Sequence, residues 1–215
     1  MTAAARSLVV VSAGLGQPSA TRLLADRLSA AVDRLLRDAG IEPRIEVVEL
    51  RDHAHDLTNN LLAGFPSPAL QAALDDVRAA DGLIAVTPIF SASYSGLFKM
   101  FFDVVDRGGL ADMPTLIAAT GGTARHSLAI EHAIRPLFAY LNAAVVATGV
   151  YAATEDWGGA GLAADGSLVD RIERAARELA TAMTVRGPRA PRDPFADATP
   201  FDEVVRSNAV SRATD

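Results

Sequence analysis

The chain has 215 residues, half of them apolar, with a net charge of −6 and no cysteine. That length suits one sizeable domain with its own core, and the composition is that of a globular chain, not a disordered one. The acidic balance argues against nucleic acid or an anionic membrane as the main partner, and without cysteine there are no disulfides, thiolate chemistry or Cys-based zinc sites.

The first apolar run, SLVVVSA at 7–13, is too short for a signal-peptide core or a membrane span and predicts a strand; a cytoplasmic location is the default. The stretch after it spaces Leu23, Leu24, Leu28, Ala31 and Leu35 at helical intervals and stops at Gly40. RIEVVEL at 44–50 predicts a second strand, followed by a polar loop holding Asp52, His53, His55 and Asp56, read as loop residues and not as metal ligands. Ser67 and Pro68 form a cap and first-turn pair for a second helix. GLIAVTP at 82–88 predicts a third strand that stops at its Thr-Pro. The following helix carries Phe98, Phe101, Phe102 and Val105 on one broad face, suited to core or to a dimer surface. PTLIAAT at 114–120 predicts strand four, and another helix leads to AVVATGV at 144–150, strand five. In that last connection Pro136 cannot donate to the carbonyl of His132, which predicts a kink or bulge. A fifth helix is predicted over about 167–184, after a Gly-rich loop.

Strands apolar on both faces that alternate with helices indicate a parallel sheet covered on both sides. Five such units predict an α/β flavodoxin-like three-layer sandwich of strand order 2-1-3-4-5. The domain is assigned to 1–185, and 186–215, with its four prolines, reads as an extended tail. Either that tail is mostly disordered, or it is an arm laid over a partner through Phe195 and Phe201.

In such a sheet ligands bind beyond the carboxyl ends of the strands, where the strand order reverses. Three loops converge there: 12–21, 87–96 and 120–126, all rich in glycine and hydroxyl groups. The first ends at a helix N-terminus, which favours an anion, and Ser12, Gln17, Ser19 and Thr21 add side-chain donors. Lys99 is the only lysine and no GxxxxGK[ST] is present, so a nucleotide-hydrolysing phosphate loop is excluded. Gly14 and Gly16 leave a degenerate GxGxxG with Ser19 in the third position, a poor dinucleotide fingerprint but a good site for a phosphate monoester such as that of FMN. The Thr120-Gly121-Gly122-Thr123 loop lets backbone approach a flat ligand.

These stretches resemble the NAD(P)H-dependent FMN reductases of flavodoxin-like fold, in particular those that serve alkanesulfonate and methanesulfonate monooxygenases. VVVSAGLGQPSATRLLADRL (9–28), ADGLIAVTPIFSASYSGLFKMFFD (80–103) and ATGGTARHSLAIEHAIRPLF (119–138) carry the likeness, which covers roughly residues 6–155. The resemblance implies that Ser12, Gln17, Ser19 and Thr21 hold the FMN phosphate. Pro88, Ile89, Phe90 and Ser91 would border the phosphate, ribityl chain and ring, and Thr120, Gly121, Gly122 and Thr123 would line the isoalloxazine. It further implies NADPH or NADH as hydride donor, a homodimer or homotetramer, and a flavin-dependent monooxygenase that receives reduced FMN. Many relatives have an arginine where this chain has Leu15-Gly16, so that an arginine contact to the phosphate is either missing or comes from Arg22, and many have Tyr where Phe90 stands. Hydride transfer between nicotinamide and flavin needs no acid-base residue, so no catalytic side chain is assigned. His126 is a candidate ring contact. His132 is a candidate interface or gating residue, as such a position belongs to a π-bulge in the sulfonate-linked reductases. Asp156 and Trp157 either cap the flavin of a neighbouring subunit or form a surface loop anchored by its Trp. Two other readings compete: an FMN-retaining quinone or azo reductase, and a non-enzymatic flavodoxin-like electron carrier.

Overall fold

A computed structural model describes residues 4–106, 108–158, 167–186 and 188. The tail assigned to 186–215 therefore lies, beyond Arg186 and Pro188, outside the described residues, as does most of the Gly-rich loop before the last helix.

The elements run β1 (Ala4–Ser12), α1 (Ala20–Asp38), β2 (Ile41–Glu49), α2 (Ala54–Ala63), α3 (Pro68–Ala79), β3 (Gly82–Phe90), β4 (Ser93–Tyr94), α4 (Gly96–Val104), β5 (Pro114–Gly121), α5 (Arg135–Tyr140), β6 (Ala144–Val145), β7 (Val150–Ala153) and α6 (Leu168–Arg186). The sheet path is β2-β1-β3-β5-β6, with β7 also on β5 and β4 on β3. The β1–β2, β1–β3, β3–β5, β5–β6 and β5–β7 pairs are parallel, so this is the flavodoxin-like order.

Alternation along β1 divides the core. Val9 and Val11 pack toward α2, α3, α4 and α5, whereas Leu8 and Val10 pack toward α1 and α6. Every residue of β3 from Gly82 to Pro88 is buried, as a central parallel strand requires. Phe98, Phe101 and Phe102 are fully buried. The ring centroids of Phe98 and Phe102 lie 4.7 Å apart and those of Phe102 and Phe138 4.8 Å, so this aromatic face belongs to the core and not to a dimer surface.

Three local expectations are corrected. The polar loop after β2 is a 3₁₀ turn, Leu50–His53, running into α2. That helix buries only Leu57 and Asn60, too narrow a stripe to show as periodicity, and ends at Gly64 in the left-handed region (φ 83°). The third strand does not stop at Thr87-Pro88 but continues to Phe90. β1 ends at Ser12, opposite Val86, so Pro88 lies where β3 is paired only by β5, and the missing N–H is tolerated. Strand five is two short strands. Between Val145 and Val150 the chain takes five steps against three on β5, from Thr115 to Ala118. The bulged residues are satisfied by side chains: Arg135 donates to the carbonyls of Val146 and Ala147, each at 3.0 Å, and Glu178 accepts from the N–H and hydroxyl of Thr148, each at 2.7 Å.

The anomaly expected at His132 and Pro136 is a π-helix, Ile130–Ile134. The proline deletes the N–H that would close the α-helical ring on the carbonyl of His132, and the ladder shifts so that Arg135 N–H bonds Ile130. His132 is exposed on it.

Candidate functional site

The loops after β1, β3 and β5 meet at one end of the sheet. β1 closes on Ser12, which is fully buried and whose Oγ has no hydrogen-bond partner. A buried hydroxyl without a partner costs about 1–3 kcal/mol, and because Ser12 has no exposed surface a ligand meets it only if the loop above it shifts. The loop then folds tightly back to α1. A Cβ on Gly14 would run into the Ser19 side chain and come within 3.2 Å of Thr21 Cβ, so only glycine allows that closure. Ser19 is the N-cap, its Oγ accepting the Arg22 N–H at 3.2 Å.

The predicted phosphate donors therefore divide. Ser12 is free, Ser19 caps the helix, and the Thr21 hydroxyl lies 2.8 Å from that of Thr120, joining the first loop to the third. Gln17 turns outward; with its amide oxygen toward Arg51 it accepts from that guanidinium at 2.8 Å. Arg22, one candidate for the arginine contact missing from the loop, is engaged within the chain. It is tied to Asp26 at 2.7 Å and Glu49 at 2.6 Å, and its hydrogen bond to Asp26 leads the causes that raise its pKa above the usual value. Arg51, at the end of β2, is the guanidinium that reaches the loop, and the sequence offered no signal for it.

The second loop is a hairpin. β3 turns through Ser91 and Ala92, both in the left-handed region at φ 48° and 66°, and returns as β4 with Ile89 opposite Tyr94 and Phe90 opposite Ser93. Two of its hydroxyl residues are structural. Thr87 Oγ1 accepts the Ser95 N–H at 3.0 Å, and Ser95 Oγ caps α4 by accepting from Phe98 N–H at 3.2 Å. Ile89 packs on the core while Phe90 is half exposed and Ser91 is exposed.

The third loop is pinned by a residue that sequence reasoning missed. Tyr151, on β7, donates to the carbonyl of Thr123 at 2.8 Å, and its hydroxyl fills the space a Cβ on Gly121 would need. Burial, reinforced by the charges of Glu155 and Asp156, raises the phenol's pKa, keeping it a donor. A strand boundary drawn at residue 150 hid it. Gly122 has nothing within 4 Å of its Cβ position, so backbone is open there. His126 is exposed beside it. Trp157 packs on its own chain, with the Arg27 guanidinium 5.0 Å from its ring and its body against the core. Asp156 pairs with Arg171 at 2.5 Å and accepts from Ala153 N–H at 2.7 Å. That loop is anchored within the chain.

The arrangement fits a phosphorylated flat ring. It offers a helix N-terminus and an exposed glycine backbone, and the three loops contain no acidic residue. Among the described residues no group of His, Asp or Glu is placed to hold a metal.

Fold and site together define a flavodoxin-like α/β oxidoreductase. The family described as NADPH-dependent FMN reductase matches residues 7–158. The chain is 41% identical over 150 residues to an FMN reductase (NADPH) of Pseudomonas aeruginosa, spanning 70% of this chain and 78% of that one. It is 39% identical over 149 residues to the NADH-dependent FMN reductase SfnF of Pseudomonas putida, spanning 69% and 77%. Among solved structures, an oxidoreductase of Corynebacterium diphtheriae superposes with a TM-score of 0.80 at 45% identity, covering 84% of this chain and 97% of that one. The apo form of the NADH:FMN oxidoreductase EMOB gives 0.72 at 28%, covering 90% and 100%. The chain belongs to the NADPH-dependent FMN reductase family and is an NAD(P)H-dependent FMN oxidoreductase.

Proposed function

We propose that this enzyme takes a hydride from NADPH or NADH onto FMN held by the three loops and delivers reduced FMN to a flavin-dependent monooxygenase. The observation that carries the reading is the joining of the first loop, where α1 begins, to the third through Thr21 and Thr120, beside the open backbone of Gly122. The unit is the domain over 1–185, with 186–215 appended as a tail.

FMN, when bound, supplies the hydride-accepting ring, so the chain's task is to bind and orient. The backbone N–H groups opening α1 would stabilise the charge of the phosphate, and Ser12 would add a hydrogen bond to it once the loop above its buried hydroxyl shifts. Ser19 and Gly14 hold those groups in place, while Gln17 steadies the loop through Arg51. Pro88, Ile89, Phe90 and Ser91 form one wall through the hairpin. Thr120, Gly121, Gly122 and Thr123 form the other, fixed by Thr21 below and Tyr151 behind. No side chain is needed for proton transfer at the reacting carbon. The protein acts as a cytoplasmic homo-oligomer; Leu61, Leu62 and Phe65, all exposed around the end of α2, suit a contact with a second copy. No described helix is long and apolar enough to cross a membrane.

Loss of nicotinamide absorbance by the purified protein, with and without added FMN, tests the reading. Turnover that rises and saturates with FMN supports it. Turnover independent of added FMN, from protein that stays yellow through purification, indicates a reductase that keeps its flavin. Bound FMN without turnover leaves an electron carrier.

A further inference from the structure

We propose that Arg125 is the residue that captures a phosphate group of the incoming nicotinamide dinucleotide. The inference rests on the flavin-reductase reading and names the contact by which that site recognises its hydride donor.

The three loops at the carboxyl ends of β1, β3 and β5 hold a single formally charged side chain, Arg125. The other described arginines at this end are engaged. Arg22 is paired with Asp26 and Glu49, Arg51 lies against Glu49 and Asp52, and Arg171 is bonded to Asp156 and the Tyr151 carbonyl. Arg125 is exposed, and among the described residues its guanidinium has neither an ion-pair nor a hydrogen-bond partner. Its backbone is nonetheless fixed. The Arg125 N–H is 3.4 Å from Thr123 Oγ1, and the Thr123 carbonyl accepts from Tyr151. A cation on a held backbone loses less entropy on binding than one on a loose loop, and guanidinium suits the bidentate recognition of phosphate.

Its place selects the ligand. Arg125 lies three residues beyond Gly122, the open stretch of backbone offered to the flavin ring. The flavin phosphate belongs at the other end of the site, at Ser12 and the start of α1. A dinucleotide stacking its nicotinamide on the ring brings its own phosphates past the third loop. The pyrophosphate is common to NADH and NADPH and the 2′-phosphate is confined to NADPH; both have the chemistry Arg125 takes, and the two dinucleotides tell them apart.

The test compares wild type with Arg125→Ala and Arg125→Lys, each loaded with FMN. Calorimetric titration with NAD+ and NADP+ reads binding without turnover, and KM for NADH and NADPH is measured in parallel. In Arg125→Ala, dissociation constants should rise about tenfold, the size of a lost charge-assisted contact that is partly solvated, with Arg125→Lys recovering part of it. A rise for NADP+ alone assigns the 2′-phosphate, and a rise for both assigns the pyrophosphate. Unchanged constants for both dinucleotides overturn the proposal, and so does a rise in the FMN dissociation constant instead. Wild-type turnover with FMN is measured first. If it is absent, the reductase reading itself fails, a result distinct from a silent Arg125→Ala in an active enzyme.

Discussion

The Tyr151 hydroxyl occupies the space beside Gly121 that any larger residue there would claim, and from it donates a hydrogen bond to Thr123 two residues on. The pair fixes how closely β7 and the third loop approach. Gly121→Ala should destabilise the protein by about 1–3 kcal/mol through overpacking and weaken FMN binding. Tyr151→Phe loses one hydrogen bond, about 1 kcal/mol, but removes the worst of the obstruction, since the next ring atom, Cζ, is 3.1 Å from that Cβ position and needs to give by only a few tenths of an ångström. The double variant should therefore be more stable than the sum of the single losses predicts. Chemical denaturation of the four proteins checks this, and strict additivity would show that the two residues do not compete for space.

The same tyrosine gives a pH prediction. Its pKa is raised by burial and by Glu155 and Asp156. A neutral form favoured by folding contributes stability that is complete below the unfolded-state pKa, near 10, and is lost as pH rises through the higher folded value. Wild-type stability should thus fall more steeply than that of Tyr151→Phe above about pH 10. A phenolate absorbance titration should show a late tyrosine that vanishes in the variant.

Ser12→Ala separates stability from binding. In the protein without flavin it removes a buried hydroxyl that has no partner, so the apo form should be unchanged or more stable by about 1 kcal/mol. FMN affinity should fall about tenfold, whereas affinity for riboflavin, which lacks the phosphate, should be nearly unaffected. Thermal melts and fluorescence titration measure the two effects. A loss of apo stability would mean that the hydroxyl is satisfied within the chain.

What could be read from the sequence was what depends on neighbours along the chain. The sheet order follows from alternating apolar runs and helices. A break in the helix near 132 follows from Pro136, because a missing N–H is a local fact, while its π form at 130–134 was implied only by the resemblance. The first and third loops were recognisable from their small and hydroxyl residues, and the structure does bring them together through Thr21 and Thr120. Tyr151 and Arg51 were not recognisable, because each acts across a sheet edge on a loop distant in sequence: 28 residues separate Tyr151 from Thr123. The bulge that splits β6 from β7 was hidden for a similar reason. Its polar groups are satisfied by Arg135 and Glu178 on helices, so the apolar run 144–150 looks like one strand. Of the hydroxyls of 87–96, those of Thr87 and Ser95 hold the hairpin and cap α4, roles that residue type alone does not separate from a ligand contact.

The hairpin tip supplies the last prediction. Ser91 and Ala92 are not glycines, yet both adopt left-handed backbone, at φ 48° and 66°, the geometry of a two-residue connection between strands of right-handed twist. For Ala92 this costs about 1 kcal/mol, which its exposed methyl group does not recover. Ala92→Gly should relieve that strain, and against it stands the larger unfolded-state entropy of glycine, also about 1 kcal/mol or less. Stability should therefore change by well under 1 kcal/mol in either direction. Ala92→Val, which adds a β-branched side chain at positive φ, should lose at least about 1 kcal/mol. Since Phe90 and Ser91 are proposed to border the flavin, opening of the tip should show in ligand exchange before it shows in stability. Ala92→Gly should release FMN faster in a stopped-flow displacement with an unchanged melting temperature. A release rate equal to that of wild type would mean that the tip is not part of the site wall.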